Sequence, residues 1–165
     1  MEISIKYRRL DLHELENLEP EFIQFLASNG VDAQKWLTLK GENPAIVDGI
    51  ISQFSNIVFD KILEKVSLIE SRSEQAIYLY LCTAEEIVMH GVKLRNKQFD
   101  FDQIGEVIDS EKLINTNFED LQIMSGSKPY AGDRKKEIFE MLQQGCMISP
   151  NQDFYDYLNR LTTNK

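Results

Sequence analysis

The chain has 165 residues, with 18 Lys or Arg and 27 Asp or Glu, which gives a formal net charge of −9. This acidic balance excludes a general nucleic-acid-binding protein, because such domains need a basic surface to neutralise phosphates. The longest apolar stretches fall well short of the roughly 18 residues of a membrane helix, and the N-terminus has no apolar signal-peptide core. We therefore expect a single globular domain over residues 1–165, with neither nucleic acid nor a membrane as partner. Cys82 and Cys146 are too few for a disulfide framework, which is typical of a cytoplasmic protein.

Residues 11–66 show the period of helices. Apolar side chains recur there every three or four positions, and Pro20 marks a break or a fresh helix start. Asn29-Gly30 ends this piece, because glycine accepts the left-handed conformation that closes many helices. Asp32 can cap the short helix that follows.

The longest predicted helix begins at Asn43-Pro44, where a capping residue precedes proline at the first helical position. From Ile46 to Leu63 its apolar residues form a stripe along one side. We expect this helix to be the spine of the core.

The pattern changes within residues 66–95, where aliphatic residues alternate with tyrosines and a cysteine from residue 77 to 82. A second apolar run follows a short polar turn. The β-branched and aromatic content predicts an antiparallel hairpin over about residues 76–94, to which Val66–Ile69 can add a third strand. A helix over Ser73–Met89 is the rival interpretation, because alanine and two glutamates in its second half are good helix formers.

Residues 96–120 are acidic, with two lysines against seven carboxylates and hence a net charge of −5. Asp102 is expected to cap a helix that runs to about Lys112. Leu121–Met124 is predicted to be a short strand, and the Ser, Gly and Pro content of Ser125–Gly132 predicts a loop.

Asp133 is expected to cap a helix over Arg134–Gln144, and Ser149–Asn151 to open a final short helix. Runs of helix followed by strands, without βαβ alternation, indicate the α+β class. We predict N-terminal helices packed on a small antiparallel β-sheet, followed by a mixed C-terminal helical part.

The strongest candidate for chemistry is the segment 125–136, in which four cations and one carboxylate give a net charge of +3. Its hydroxyls and cations precede or open a helix, and helix N-termini favour anions through their free N–H groups and dipole. The alternative is that Asp133 caps the helix, while the cations form a solvated face or pair with the acidic residues 96–120. On the first interpretation, the residues of the anion-binding site are Ser125, Ser127, Lys128, Tyr130 and Arg134.

Cys82 and His90 are the two residues that could together form an activated thiolate. The predicted hairpin places Leu79 opposite His90 and Cys82 opposite Ile87, so alternation sends the two side chains to opposite faces. We therefore expect a buried thiol and a half-exposed strand histidine. The scattered His and Cys residues lack metal-ligand spacing, and the acidic residues lack the calcium-loop register. We predict no catalytic residue, metal or cofactor.

Six short segments carry a family resemblance: Lys6–Leu10, Glu21–Ala27, Ser125–Tyr130, Asp133-Arg134, Glu137–Phe139 and Gln144-Gly145. Together they resemble a small bacterial family known only as a domain of unknown function. The resemblance covers nearly the whole chain and implies a cytoplasmic bacterial protein with no assigned activity, cofactor or catalytic residues. It therefore transfers no functional residue to this sequence.

These observations favour a non-catalytic binding or interaction protein, because a compact acidic domain here shows no catalytic constellation. The alternative is an enzyme or sensor that binds a phosphorylated or carboxylate small molecule at the 125–136 segment. Another protein or an anionic small molecule is thus the expected partner. The sequence leaves the oligomeric state open.

Overall fold

The structure, a computed structural model, describes residues 4–95, 101 and 104–163, with the side chains of 116–118 left out. Backbone contacts group the chain into two compact units, Met1–Glu64 and Lys65–Lys165. Helices make up the first unit, and a five-stranded antiparallel sheet with further helices makes up the second. The predicted α+β class is confirmed, with the N-terminal helices preceding the sheet.

The first unit contains four helices, the last of which ends one residue past its boundary. Pro20 lies in the first turn of the second helix, and Gly30 follows that helix with a φ of +74°, as the sequence predicted. The side chain of Asp32 caps the third helix by accepting the Lys35 N–H at 2.7 Å. The helices are α1 (Leu12–Asn17), α2 (Glu19–Ser28), α3 (Ala33–Glu42) and α4 (Pro44–Lys65).

An aromatic cluster holds the first unit together. The Phe54 ring of α4 lies 4.9 Å from the Phe22 ring and 5.3 Å from the Phe25 ring, both on α2. Phe54 and Ile51 are buried, but Ile46 is 46% exposed, so the predicted apolar stripe of α4 is buried only in part. The middle of α4 therefore forms the spine of the first unit only, because the main buried cluster consists of residues of the second unit.

The start of α1 is fixed by a capping box in which Asp11 and Glu14 each accept the other's backbone N–H. Arg8 also donates from both terminal nitrogens to the Glu14 carboxylate, at 2.8 and 2.6 Å. The Arg8 hydrogen bonds are the main reason that the pKa of Glu14 falls to about 2. The exposure of this ion pair to solvent limits what it adds to stability.

The second unit is built on a sheet with the strand order β4-β3-β2-β1-β5, antiparallel throughout. In the central hairpin, Leu79 pairs with His90 and Cys82 pairs with Ile87, which confirms the predicted register. The rival helix over Ser73–Met89 is wrong. The elements are β1 (Leu68–Arg72), β2 (Ala76–Cys82), β3 (Glu86–Leu94), α5 (Ser110–Asn117), β4 (Leu121–Pro129), α6 (Arg134–Gln143), β5 (Met147–Ile148) and α7 (Gln152–Thr163).

One face of this sheet forms the main core with α5 and α7. Apolar side chains of β2 and β3, such as Ile77, Leu79 and Val92, are fully buried there against Phe154 and Leu158 of α7. Alternation sends the neighbouring strand residues, including Cys82, to the opposite face. We call these the α7 face and the Cys82 face.

Two predictions of local structure in this unit are wrong. The expected loop Ser125–Gly132 is strand as far as Pro129, because β3 offers ladder partners for all nine residues of β4. This long-range pairing overrides the local preference of Ser and Gly for turns. The expected helix from Asp102 to Lys112 begins only at Ser110, and residues 102 and 103 lie outside the described residues. Carbonyls of residues 104–106 accept hydrogen bonds from a distant arginine, so they do not take part in a helix.

Candidate functional site

The residues of the predicted anion site do not share one face of the sheet. In the pairing of β4 with β3, Ser125 lies opposite His90 and Lys128 lies opposite Ile87. By alternation, Ser125 and Ser127 belong to the α7 face, whereas Lys128 belongs to the Cys82 face. All three side chains are exposed.

Lys128 is held by a carboxylate of α6. Its ammonium lies 2.9 Å from Glu137 Oε1, while Glu137 Oε2 accepts the Ala131 N–H at 2.9 Å. The hydrogen bond from Lys128 is the main cause that lowers the pKa of Glu137. The pair fastens the end of β4 to α6, so the Lys128 charge already has a partner.

Arg134 and Tyr130 bind backbone carbonyls at the turn of the β2–β3 hairpin, and Arg134 also binds one just before β1. The guanidinium donates to the carbonyls of Val66 at 2.6 Å, Cys82 at 2.9 Å and Thr83 at 3.1 Å. The Tyr130 hydroxyl also donates to the Thr83 carbonyl, at 2.7 Å. A cation in the first turn of α6 is thus explained by oxygen acceptors from another part of the sheet unit.

The predicted cap of α6 is confirmed, because Asp133 accepts the Lys135 N–H at 2.9 Å. The suggested pairing of the α6 cations with the acidic residues 96–120 falls partly outside the described residues, which omit Asp100 and Asp102. Lys128, Tyr130 and Arg134 already have hydrogen-bond acceptors within the fold. Anion binding at Ser125, Ser127, Lys128, Tyr130 and Arg134 stays a prediction.

Cys82 has the properties of a structural thiol. Its side chain is buried, and burial raises the pKa of the thiol to about 11, although the Arg134 charge acts in the opposite direction. Because the thiolate is the nucleophilic form, a thiol with this pKa is almost wholly unreactive at neutral pH. Its position on the face opposite His90 agrees with the predicted separation of the two residues.

His90 is buried, not half-exposed as the sequence predicted, because α7 covers β3 on this face. Its Nε2 lies 3.1 Å from Asn159 Oδ1, and its ring lies 4.9 Å from the Tyr155 ring. Nδ1 has no hydrogen-bond partner among the described residues. Burial lowers the pKa of His90, which favours the neutral imidazole that donates from Nε2 to Asn159.

A buried carboxylate on β1 forms a network that the sequence analysis missed. Glu70 is 1% exposed, and its Oε1 accepts from Ser149 Oγ at 2.6 Å and from Asn151 Nδ2 at 2.8 Å. Its Oε2 accepts from Arg72 Nε at 3.1 Å and Nη2 at 2.9 Å. Two donors at each oxygen satisfy the carboxylate, as burial of a charge requires.

The remaining donors of Arg72 hold the chain segment before α5. Its terminal nitrogens donate to the carbonyls of Ile104, Gly105 and Glu106 at 3.1, 3.0 and 3.4 Å. Asn151 adds two bonds to the same segment, from the Ile108 N–H to its Oδ1 and from its Nδ2 to the Glu106 carbonyl. The network therefore fixes residues 104–108 and the start of α7 on β1.

A pocket of about 170 Å³ lies beside this network, at the β5 edge of the sheet. Met147 and Ile148 at its rim are 54% and 56% exposed. Because Glu70 and Arg72 are occupied with one another and with the backbone, the rim presents mainly apolar atoms. The lining residues are Glu70, Arg72, Glu106, Met147, Ile148 and Pro150.

A sequence signal for this network exists. Glu70 and Arg72 are opposite charges two positions apart in a strand, so their side chains share a face. The apolar Leu68, two positions before Glu70, shares this face and indicates that it is buried. A buried charge needs a partner. The contribution of Ser149 and Asn151, about 80 residues later, has no comparable signal.

Over the described parts of the chain, no three His, Cys, Asp or Glu residues are grouped so that they could hold a metal ion. Within the same parts, the helices are too short or too polar to cross a membrane. No curated protein and no solved structure matches the sequence. A family model does match it, over residues 5–163, and this model describes DUF6495, a family of unknown function.

Proposed function

The chain belongs to the DUF6495 family, whose function is unknown, and we propose from its own geometry that it is a non-catalytic protein that binds a partner polypeptide. The binding site is the pocket at the β5 edge, which takes an apolar anchor side chain of the partner. The observation that carries this proposal is the pair of exposed apolar residues, Met147 and Ile148, beside a preformed cavity. We further propose that the protein works in the bacterial cytoplasm, where its two free cysteines stay reduced.

A non-catalytic role is supported by the way the reactive side chains are used. Catalysis needs a nucleophile or base with a free lone pair and a suitable pKa. The Glu70 carboxylate instead receives four donors, and Arg134 donates to three carbonyls. The pKa of Cys82 is about 11, so this thiol is not an activated nucleophile.

The size of the pocket supports an anchor of one side chain. A cavity of about 150 Å³ lined by apolar groups is enough to bind benzene, so a leucine or phenylalanine side chain fits the 170 Å³ available. Full burial of such a side chain contributes about 1.5–3 kcal/mol. Anchors of this type dominate the affinity of many protein interfaces.

The charge of the site points to the chemistry of the partner segment. Glu70 and Arg72 neutralise one another, which leaves the exposed Glu106 as the unbalanced charge of the lining. The whole chain adds a net charge of −9. Complementary charge speeds encounter and fixes orientation, so we expect basic residues next to the apolar anchor of the partner.

Photo-crosslinking in the producing cells tests this proposal. A photoreactive amino acid replaces Ile148 at the rim, and the matched control carries it at Lys136, which is also exposed but lies on α6. We expect a discrete protein adduct from position 148 that is absent from position 136 and is lost when Met147→Asp is added. Equal adduct patterns from both positions would refute the proposal, as would an adduct unaffected by Met147→Asp.

A further inference from the structure

β4 is the edge strand at the end of the sheet opposite β5, and among the described residues nothing pairs with its outer side. Five consecutive residues, Ser125–Pro129, are exposed. Unpaired edges of this length are templates for pairing with another chain, and proteins usually protect them with charges, proline or bulges. Here such protection is confined to Lys128 and Pro129 at one end of the strand.

The phase of the ladder shows which backbone groups point outward. The Arg95 N–H donates to the Asp120 carbonyl at 2.8 Å, in continuation of the β3–β4 register. In an antiparallel pair, residues that exchange hydrogen bonds alternate with residues that do not. Even-numbered residues of β4 therefore bond to β3. The groups that point away from β3 belong to the odd-numbered residues Leu121, Ile123, Ser125 and Ser127, and to the carbonyl of Pro129. Leu121 itself is buried, whereas Ser125, Ser127 and Pro129 are exposed.

We propose that two copies of this chain pair through this edge, antiparallel and with a two-fold axis at Ser125. In this register Ser125 pairs with its own copy, Ile123 with Ser127 and Leu121 with Pro129. The outward groups of Ile123, Ser125 and Ser127 then form about six backbone hydrogen bonds. The two five-stranded sheets join into one continuous sheet. Because the arrangement is two-fold symmetric, the β4 edge is paired in both copies and no further copy can add there.

The side chains of β4 complement one another in this register. On the Cys82 face, Met124 lies opposite Gly126 of the second copy, and a Cβ added at Gly126 would meet nothing within 4 Å. Gln122 lies opposite Lys128, whose ammonium can donate to the amide oxygen. Lys128 is the one charged residue of β4, so the two-fold arrangement places no like charges directly opposite one another. This self-complementarity favours a second copy as the occupant over an unrelated strand.

Amide hydrogen exchange at low and high protein concentration tests the pairing residue by residue. The amides of Gln122, Met124 and Gly126 bond to β3 and should be protected at every concentration. The amides of Ser125 and Ser127 should exchange quickly in dilute protein and become protected at least tenfold when the concentration rises. Equal, fast exchange of these two amides at all concentrations would overturn the proposal.

Substitution at the axis gives a second test by light scattering coupled to size exclusion. Ser125→Pro removes the outward N–H without touching the bonds to β3, and proline is tolerated at such edge positions. It should give a monomer at concentrations where the wild type is a dimer, whereas Ser125→Thr, which keeps the N–H, should remain dimeric. A melting temperature close to that of the wild-type monomer confirms that Ser125→Pro is folded. A wild-type mass that stays monomeric, or a dimer that survives Ser125→Pro, would contradict the two-fold pairing.

Discussion

Replacing Arg72 by Met is expected to destabilise the sheet unit severely. The substitution keeps an unbranched apolar stem but removes the guanidinium, which leaves Glu70, at 1% exposure, as a buried carboxylate without a countercharge. It also removes the donors to the carbonyls of residues 104–106. Breaking a buried ion pair from one side costs about 3–5 kcal/mol, which is a large part of the stability of a typical domain.

The assay must report on the sheet unit. Trp36 lies in the first unit, so its fluorescence is the wrong probe. Five of the six tyrosines lie in the sheet unit, so urea unfolding is followed by tyrosine absorbance. Lys93→Met is the matched control, because Lys93 is an exposed cation in β3. Its effect should stay within about 0.5 kcal/mol.

A double variant separates the charge from the packing. Adding Glu70→Leu to Arg72→Met removes the orphaned carboxylate, and buried ion pairs can often be replaced by apolar residues at little cost. The double variant should therefore be more stable than Arg72→Met alone, with a coupling energy of about 0.5–3 kcal/mol. A loss below about 1 kcal/mol for Arg72→Met, or a double variant no more stable than the single one, would refute the reasoning.

Four further predictions concern single side chains and the predicted anion site. The pKa of His90 is lower in the folded state than its ordinary value of 6.5, so the unfolded chain takes up the proton first as the pH falls. The free energy of unfolding should then fall as the pH drops below about 6.5, and it should fall less steeply in His90→Phe than in the wild type. Equal dependence of the unfolding free energy on pH in the two proteins between about pH 7 and 5 would contradict this. Cys82, with a pKa of about 11, should react with a disulfide reagent much more slowly than the half-buried Cys146, and equal rates would show that the thiol is accessible. Arg134→Ala should cost about 1.5–3 kcal/mol, because three carbonyls lose a charged donor, whereas Lys128→Ala should cost at most about 1 kcal/mol. Phosphate, nucleotides and sugar phosphates should leave the melting temperature of the wild type unchanged; a shift that both substitutions abolish would instead establish the predicted anion site.

Local signals were sufficient for much of the fold. Asp32 and Asp133 have capping oxygens in the right place, and Gly30 has the backbone freedom that a helix end requires. The register of the β2–β3 hairpin also follows from local information, because alternation and a short turn leave few ways to pair Leu79 with His90.

The remaining features depend on partners far away in the sequence. The strand character of Ser125–Pro129 comes from β3, and the burial of His90 comes from α7, some 70 residues later. Arg134 has a positive charge that suggested an anion, but its acceptors are the carbonyls of Val66, before β1, and of Cys82 and Thr83 at the turn of the β2–β3 hairpin. A local excess of positive charge predicts that a cation has a partner, but only the tertiary fold shows which group that partner is.

The central claim is that the pocket at the β5 edge binds an anchor of a partner polypeptide. Its most direct test is the affinity of the partner captured from position 148, measured by calorimetry with the wild type and with Ile148→Asp. Loss of the apolar rim should weaken binding by about one to two powers of ten, from the 1.5–3 kcal/mol of an apolar anchor. The Lys136→Asp control should bind like the wild type. Equal affinity of Ile148→Asp and wild type would contradict the account.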